Sequence, residues 1–271
     1  MKKSFLFLAA IFFLSTATFA QVKRDLKKVM ELKMPPLESG GTRGAGVVWH
    51  PVQKKYYVSF AGNESYPMAV FSADGKRLTP DDQATKVDTR GLWYNPAKKQ
   101  ICGNGYNDNG WFSYTLDAKG LPKENKIDFT GMNQPDAQCV GAYNPLKKKV
   151  MFLFNGKISF YSDKAEVTDE ELVINWGRIK TEGKNEAADE DETPAEYNTS
   201  TVIYTGIKGS EIGFLNVDDM QVELYDLSTG FLTTILNLPE GAPAEHMFNF
   251  AYANGMYWLF SMNDRVWTGY K

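Results

Sequence analysis

The chain has 271 residues, a formal net charge of −3 and 14% aromatic residues. Its 30 basic and 33 acidic side chains nearly balance, so no broad positive field exists to gather nucleic acid. High aromatic content together with 23 glycines points to many short strands joined by tight turns.

The N-terminus comes first. Lys2 and Lys3 precede an apolar run over 5–14, and Thr18, Phe19 and Ala20 put small residues at the two positions a signal peptidase reads. A bilayer span needs about 20 residues, and this run is shorter. The pattern predicts a cleaved export signal over 1–20, a mature chain from Gln21, and a secreted or periplasmic location. No cysteine follows the run to carry a lipid, and no later segment is apolar for long enough to span a membrane. The rest, 21–271, is the size of one all-β domain or two smaller ones.

Internal repetition organises that domain. Gly-Val-Val-Trp-His-Pro at 46–51, Gly-Leu-Trp-Tyr-Asn-Pro at 91–96 and Val-Gly-Ala-Tyr-Asn-Pro at 140–145 align without a gap. Each is an apolar strand ending in a turn that carries lysine, then a second strand. Proline suits that turn because its fixed φ presets the bend and no N–H is needed there. The aromatic two residues before the proline sets the register: Trp49, Tyr94 and Tyr143, continued by Tyr204 and Tyr252 in two weaker copies. The intervals are 45, 49, 61 and 48 residues. The longest contains a polar stretch near 180–196 with four consecutive acids ending at Glu192. It reads as a flexible acidic insertion, or as a docking tail for a basic partner.

Further hairpins follow each copy, with Asp74, Asp117, Asp163 and Asp226 opening the next turns. Continuous apolar runs at 69–71, 151–154 and 257–260 predict strands covered on both faces. Four strands in each 40 to 50 residues resembles the β-propeller superfamily, from about residue 27 to the end. The chain lacks the Gly-His and Trp-Asp pair of WD40 blades and the double glycine of kelch. The last copy has three strands, at 248–253, 256–262 and 265–271. A strand at 28–34 therefore completes it from the other end of the chain and closes a ring of five blades. A six-bladed ring or a β-sandwich is the alternative.

The resemblance also implies where a ligand binds. One propeller face collects the loops leading into the innermost strands. Arg43, Arg90, Asp136, Gln138, Asn198, Glu245 and His246 fall in those loops and are expected to form a ligand-binding surface. Thr-Arg-Gly occurs twice, at 42–44 and 89–91. Two guanidinium groups there would grip a carboxylate or phosphate, or each would pair with an acid such as Asp88 or Asp136 and tie blades together. His50 stands where other copies have Asn95 and Asn144, and so reads as a turn residue on the opposite face; His246 is the titratable residue of the mouth.

Cys102 and Cys139 either form a disulfide or remain buried thiols. The Asp218-Asp219 and 107–109 segments offer oxygens that leave room for calcium, without EF-hand spacing; no other cofactor is expected. No phosphate loop, dinucleotide fingerprint or Gly-x-Ser-x-Gly motif occurs. These features favour a propeller that binds a protein, peptide or glycan without chemistry. The rival is a carbohydrate-active hydrolase or lyase using carboxylates such as Asp88, Asp136 and Glu245. Its first inner strand, however, carries Trp49-His50-Pro51 where five-bladed glycosidases place an acid. A third reading is a calcium-assisted esterase or lactonase.

Overall fold

The structure is a computed structural model that describes residues 22–37, 42–180 and 192–271. The expected export signal and most of the expected acidic insertion lie outside the described residues. Five antiparallel sheets follow one another along the chain. Blade 1 holds Gly44–His50, Lys55–Phe60 and Met68–Ser72. Blade 2 holds Thr89–Asn95, Gln100–Gly105, Trp111–Leu116 and Pro122–Phe129. Blade 3 holds Ala142–Asn144, Lys149–Phe154, Lys157–Ser162 and Val167–Val173. Blade 4 holds Ile203–Ile207, Ser210–Asn216, Gln221–Tyr225 and Phe231–Asn237. Blade 5 holds Phe250–Ala253, Met256–Ser261 and Val266–Tyr270.

The first strands of neighbouring blades touch in the order 1-2-3-4-5-1, so the blades form a closed ring. Lys28–Lys33 pairs antiparallel with Val266–Tyr270, with Leu32 opposite Trp267, and supplies the outer strand of blade 5. The fold is a five-bladed β-propeller closed by its own N-terminus.

Two faces of each sheet are buried because each blade lies against two others, which accounts for the unbroken apolar runs. Five hydrophobic clusters correspond to the five blade–blade interfaces. The interface between blades 5 and 1 carries the bulkiest side chains, with Trp258, Trp267, Tyr56 and Phe60 all at 0% exposure. Each is worth roughly 1.5–3 kcal/mol of burial, which secures the seam where the ring closes.

The recurring turn follows directly from the sequence. Asn95 Oδ1 accepts the N–H groups of Ala97 and Lys98, and Asn144 Oδ1 those of Leu146 and Lys147, at 3.0–3.1 Å. In blade 1 His50 takes this part, its Nδ1 accepting from Gln53 N–H at 3.3 Å. Its Nε2 lies 3.3 Å from the Lys99 carbonyl of blade 2, so the ring also joins two blades. Burial holds the imidazole below its usual range, in the neutral form.

Two departures from the repeat are visible. The fourth place in blade 1 is taken by an irregular segment over 76–85, bonded to the third strand at Leu78 N–H to Val70 O (2.7 Å) and Met68 N–H to Gln83 O (2.7 Å). On blade 4, Val22–Asp25 and Asn175–Ile179 add in parallel to the outer edge of Phe231–Asn237. Both cover an edge that would otherwise be open to strand addition.

Candidate functional site

The innermost strands use one edge for their own blade and turn the other towards the axis. Around that axis lies a cavity of about 290 Å³. It is lined by the residues that set the repeat: Trp49, Tyr94, Tyr143, Tyr204 and Tyr252, one from each blade. Pro51 and Asn254 also line it, so it opens at the turns between first and second strands. Among the described residues no Asp, Glu or His lines it.

These aromatics are held by neighbours. The Trp49 and Tyr56 rings lie 4.6 Å apart between centroids, those of Tyr94 and His50 4.6 Å, and those of Tyr252 and Tyr257 5.1 Å. Burial pushes the phenols of Tyr94, Tyr143, Tyr204 and Tyr252 above their usual range, so they remain neutral donors. None of those four hydroxyls has a hydrogen-bond partner among the described residues. The arrangement is a ring of aromatic side chains bordering the cavity, suited to a ligand that is apolar on its faces and polar at its rim.

At the opposite end the axis is filled. Ala45, Val140 and Phe248, from blades 1, 3 and 5, meet across it together with Ala61. Phe248 and Asn249 both have positive φ, 55° and 57°, an uncommon conformation for such residues. Neighbouring groups impose it: Asn198 Nδ2 donates to Phe248 O at 2.9 Å, and Asn249 Oδ1 accepts from Gly44 N–H at 2.6 Å.

The residues expected to bind ligand lie on this filled face and divide into groups. Arg43, Arg90 and Gln138 line one cavity of about 290 Å³ with Tyr66 and Phe248. Arg90 is buried and ion-paired with Asp88, and its guanidinium lies 4.4 Å from the Tyr106 ring centroid. Asp88 Oδ1 also accepts Gly62 N–H at 2.9 Å, which couples blade 1 to blade 2. Arg43 is exposed and makes no ion pair among the described residues. Asp136 caps its own turn through Gln138 N–H at 2.8 Å, and with Gln138 borders a second cavity alongside Thr199 and Ser200.

Asn198 is 0% exposed, with its donors on the Glu245 and Phe248 carbonyls and its acceptor on the Ser200 and Thr201 N–H groups. Its amide joins blade 4 to blade 5 and is fully occupied. Glu245 is half-buried, and His246 is exposed, 3.8 Å from Asp218. The structure thus gathers Arg43, Arg90 and Gln138 and leaves Glu245 and His246 outside their cavity.

The two Thr-Arg-Gly triplets are not equivalent in the fold. Gly46 pairs with Ser59 and Gly91 with Asn104, each just past a bulge, so Ala45 occupies the place of Arg90. Arg43 corresponds instead to Asp88. Cys102 and Cys139 are free buried thiols in the interface of blades 2 and 3. Burial pushes both up to about 12. Among the described residues no group of three His, Cys, Asp or Glu side chains converges to hold a metal.

The channel aromatics were visible in the sequence as a register mark and carried no assignment. The available signal was that all five copies keep an aromatic ring at one position, although turn geometry does not require it.

No family model matches the chain, and no curated protein matches it. Among solved structures it is similar to glutaminyl cyclase from Myxococcus xanthus, at 9% identity over 93% of this chain and 98% of that one, with a TM-score of 0.53. Virginiamycin B lyase from Staphylococcus aureus is 13% identical over 89% and 87%, with a TM-score of 0.40. The WD40 domain of Neurospora crassa Pan2 is 10% identical over 91% and 95%, with a TM-score of 0.46. At such identities the likeness bears on fold alone. The chain is a β-propeller.

Proposed function

We propose that this propeller is an exported, non-catalytic binding protein that takes a glycan residue or chain end into its central cavity. One observation carries the reading: five blade-equivalent aromatics line a single cavity, and the four tyrosine hydroxyls among them have no partner among the described residues. Pyranose rings present apolar faces to aromatic planes and hydroxyls to phenolic O–H groups. A cavity of about 290 Å³ lies just below the roughly 300–1,000 Å³ range of ligand pockets, in keeping with a ligand of one or two rings. Among the described residues no carboxylate or imidazole lines the cavity, so the paired carboxylates of the usual glycosidase mechanism are not among its lining.

A second reading keeps the ligand on the filled face. It rests on the cavity shared by Arg43, Arg90 and Gln138, which suits a carboxylate of a partner protein or peptide. A glycan array probed with the purified chain and with a Tyr94→Phe/Tyr204→Phe/Tyr252→Phe variant separates the two. The central-cavity reading expects glycan retention that the variant weakens at least tenfold. Retention unchanged in that variant but lost in Arg43→Met/Arg90→Met would move the ligand to the filled face and overturn it.

A further inference from the structure

The turns between first and second strands at the open end of the cavity are rich in lysine. These turns, at 51–54, 96–99, 145–148, 208–209 and 254–255, lie at this end of the ring, and Pro51 and Asn254 from two of them line the cavity. They contain Lys54, Lys98, Lys99, Lys147, Lys148 and Lys208, all exposed, and no Asp or Glu. This concentration occurs in a chain whose net charge is −3.

Some of these lysines are neutralised by outer strands. Lys98 lies 4.0 Å from Asp128, and Lys147 is paired with Glu170. Lys54, Lys99, Lys148 and Lys208, one from each of blades 1 to 4, make no ion pair among the described residues. The nearest acid in sequence to Lys208, Glu211, is held by Gly209 N–H at 2.7 Å and Leu227 N–H at 3.1 Å. Blade 5 contributes the neutral Asn254, whose amide is held by Tyr56 Oη at 2.7 Å.

Three of the four unpaired lysines are also fixed in conformation. Lys54, Lys99 and Lys148 have φ of 50°, 53° and 54°, a region that glycine or asparagine fills at lower cost. Copies 4 and 5 use Gly209, Asn254 and Gly255 in the corresponding turns. Three blades thus keep a cation where the backbone favours a smaller residue. Four like charges around one mouth repel one another, and an anion seated among them relieves that repulsion.

We infer that the ligand is an acidic glycan, a carboxylated pyranose whose ring enters the aromatic cavity while its carboxylates meet the lysine collar. The inference rests on the central-cavity reading and specifies its substrate class. At physiological salt the Debye length is about 8 Å, so the collar acts on a group at the mouth and much less on one bound elsewhere.

Calorimetry with a tetrameric uronate and its methyl ester tests the inference, using the wild type, the Tyr94→Phe/Tyr204→Phe/Tyr252→Phe variant and a Lys54→Asn/Lys99→Asn/Lys148→Asn/Lys208→Gln variant. The expected results are at least tenfold tighter binding of the uronate than of the ester by the wild type, and a preference below about threefold in the lysine variant. The preference should also shrink from 50 to 500 mM salt. Equal affinities in the wild type, a preference that survives in the lysine variant, or no uronate binding at millimolar concentration would each overturn it. If the tyrosine variant weakens both ligands while the lysine variant changes neither, the charge inference fails and the cavity reading stands. If the tyrosine variant leaves uronate binding intact, the cavity reading fails.

Discussion

Glu223 is the buried acid that the proposed binding role does not use, and its replacement gives a test of how blade 4 is held. It is 4% exposed; its Oε2 accepts Tyr197 O–H at 2.9 Å and Tyr225 O–H at 2.5 Å, and its Oε1 accepts Asn216 Nδ2 at 3.3 Å. Tyr225 Oη in turn accepts Gly177 N–H at 3.0 Å. One carboxylate therefore fastens the chain on both sides of the 178–196 segment. Glu223→Ala leaves two phenolic O–H groups without an acceptor, while Asn216 keeps Asp219 at 3.2 Å. Each orphaned donor costs about 1–3 kcal/mol, and relief of the buried charge offsets part of it, so a net loss of about 2–4 kcal/mol is expected. At about 2–4 °C per kcal/mol for a chain of this size, Tm should fall by roughly 4–16 °C. Circular dichroism melts and urea titrations measure the loss, and faster hydrogen exchange at the Gly177 amide reports it locally. Glu223→Leu with Tyr197→Phe and Tyr225→Phe removes the carboxylate and both phenolic donors together, leaves the Gly177 N–H without its acceptor, and should recover part of the stability. A loss under about 1 kcal/mol for Glu223→Ala, or a triple variant no better than the single, would refute this account.

Three other outcomes are expected. Gly91→Ala should lower Tm by several degrees, because a Cβ at 91 would stand 2.6 Å from both Gly141 N and Asn104 Oδ1, where blades 2 and 3 meet; an unchanged melt would show that the junction gives way cheaply. Since burial lowers the His50 pKa in the folded state, the unfolded chain binds the extra proton first. Stability should therefore fall as pH drops below about 6.5, the unfolded value, and stay flat on this account above it, with the slope reduced in His50→Asn as read by urea midpoints across pH 5–8. Cys102 and Cys139, pushed up to about 12, should resist iodoacetamide in the native protein at pH 8 and react on unfolding, as followed by mass spectrometry.

Much of the architecture was legible because the repeat is marked by turn chemistry that tolerates little change. Asn95 and Asn144 before proline form the same capped turn, and His50 substitutes for them because its ring nitrogen can accept the same N–H. The closing strand was legible from an arithmetic mismatch, three strands at one end and one left over at the other. Val22–Asp25 was not, since a short, exposed strand has no burial pattern to show. Nor was the 76–85 segment, where proline and aspartate replace a regular edge with side-chain and loop bonds such as Val70 N–H to Thr79 Oγ1 at 3.1 Å.

The candidate site was less legible for a geometric reason. Trp49 and Tyr252 are distant in sequence and share a cavity only because five copies are arranged about one axis. A single copy does not say which side of its strand looks inward. The paired Thr-Arg-Gly triplets illustrate the converse, identical letters displaced by two positions once strand register is imposed.

The seam between the chain's two ends governs how the molecule must be made. Lys28 pairs with Tyr270, and the Lys27 and Lys271 backbones bond to each other at 2.9 and 3.0 Å. The circle therefore cannot seal until Val266–Tyr270 is available to pair with Lys28–Lys33. A product truncated by one strand is left with two unsatisfied edges and an exposed tryptophan-rich flank, the state that proteases and chaperones recognise.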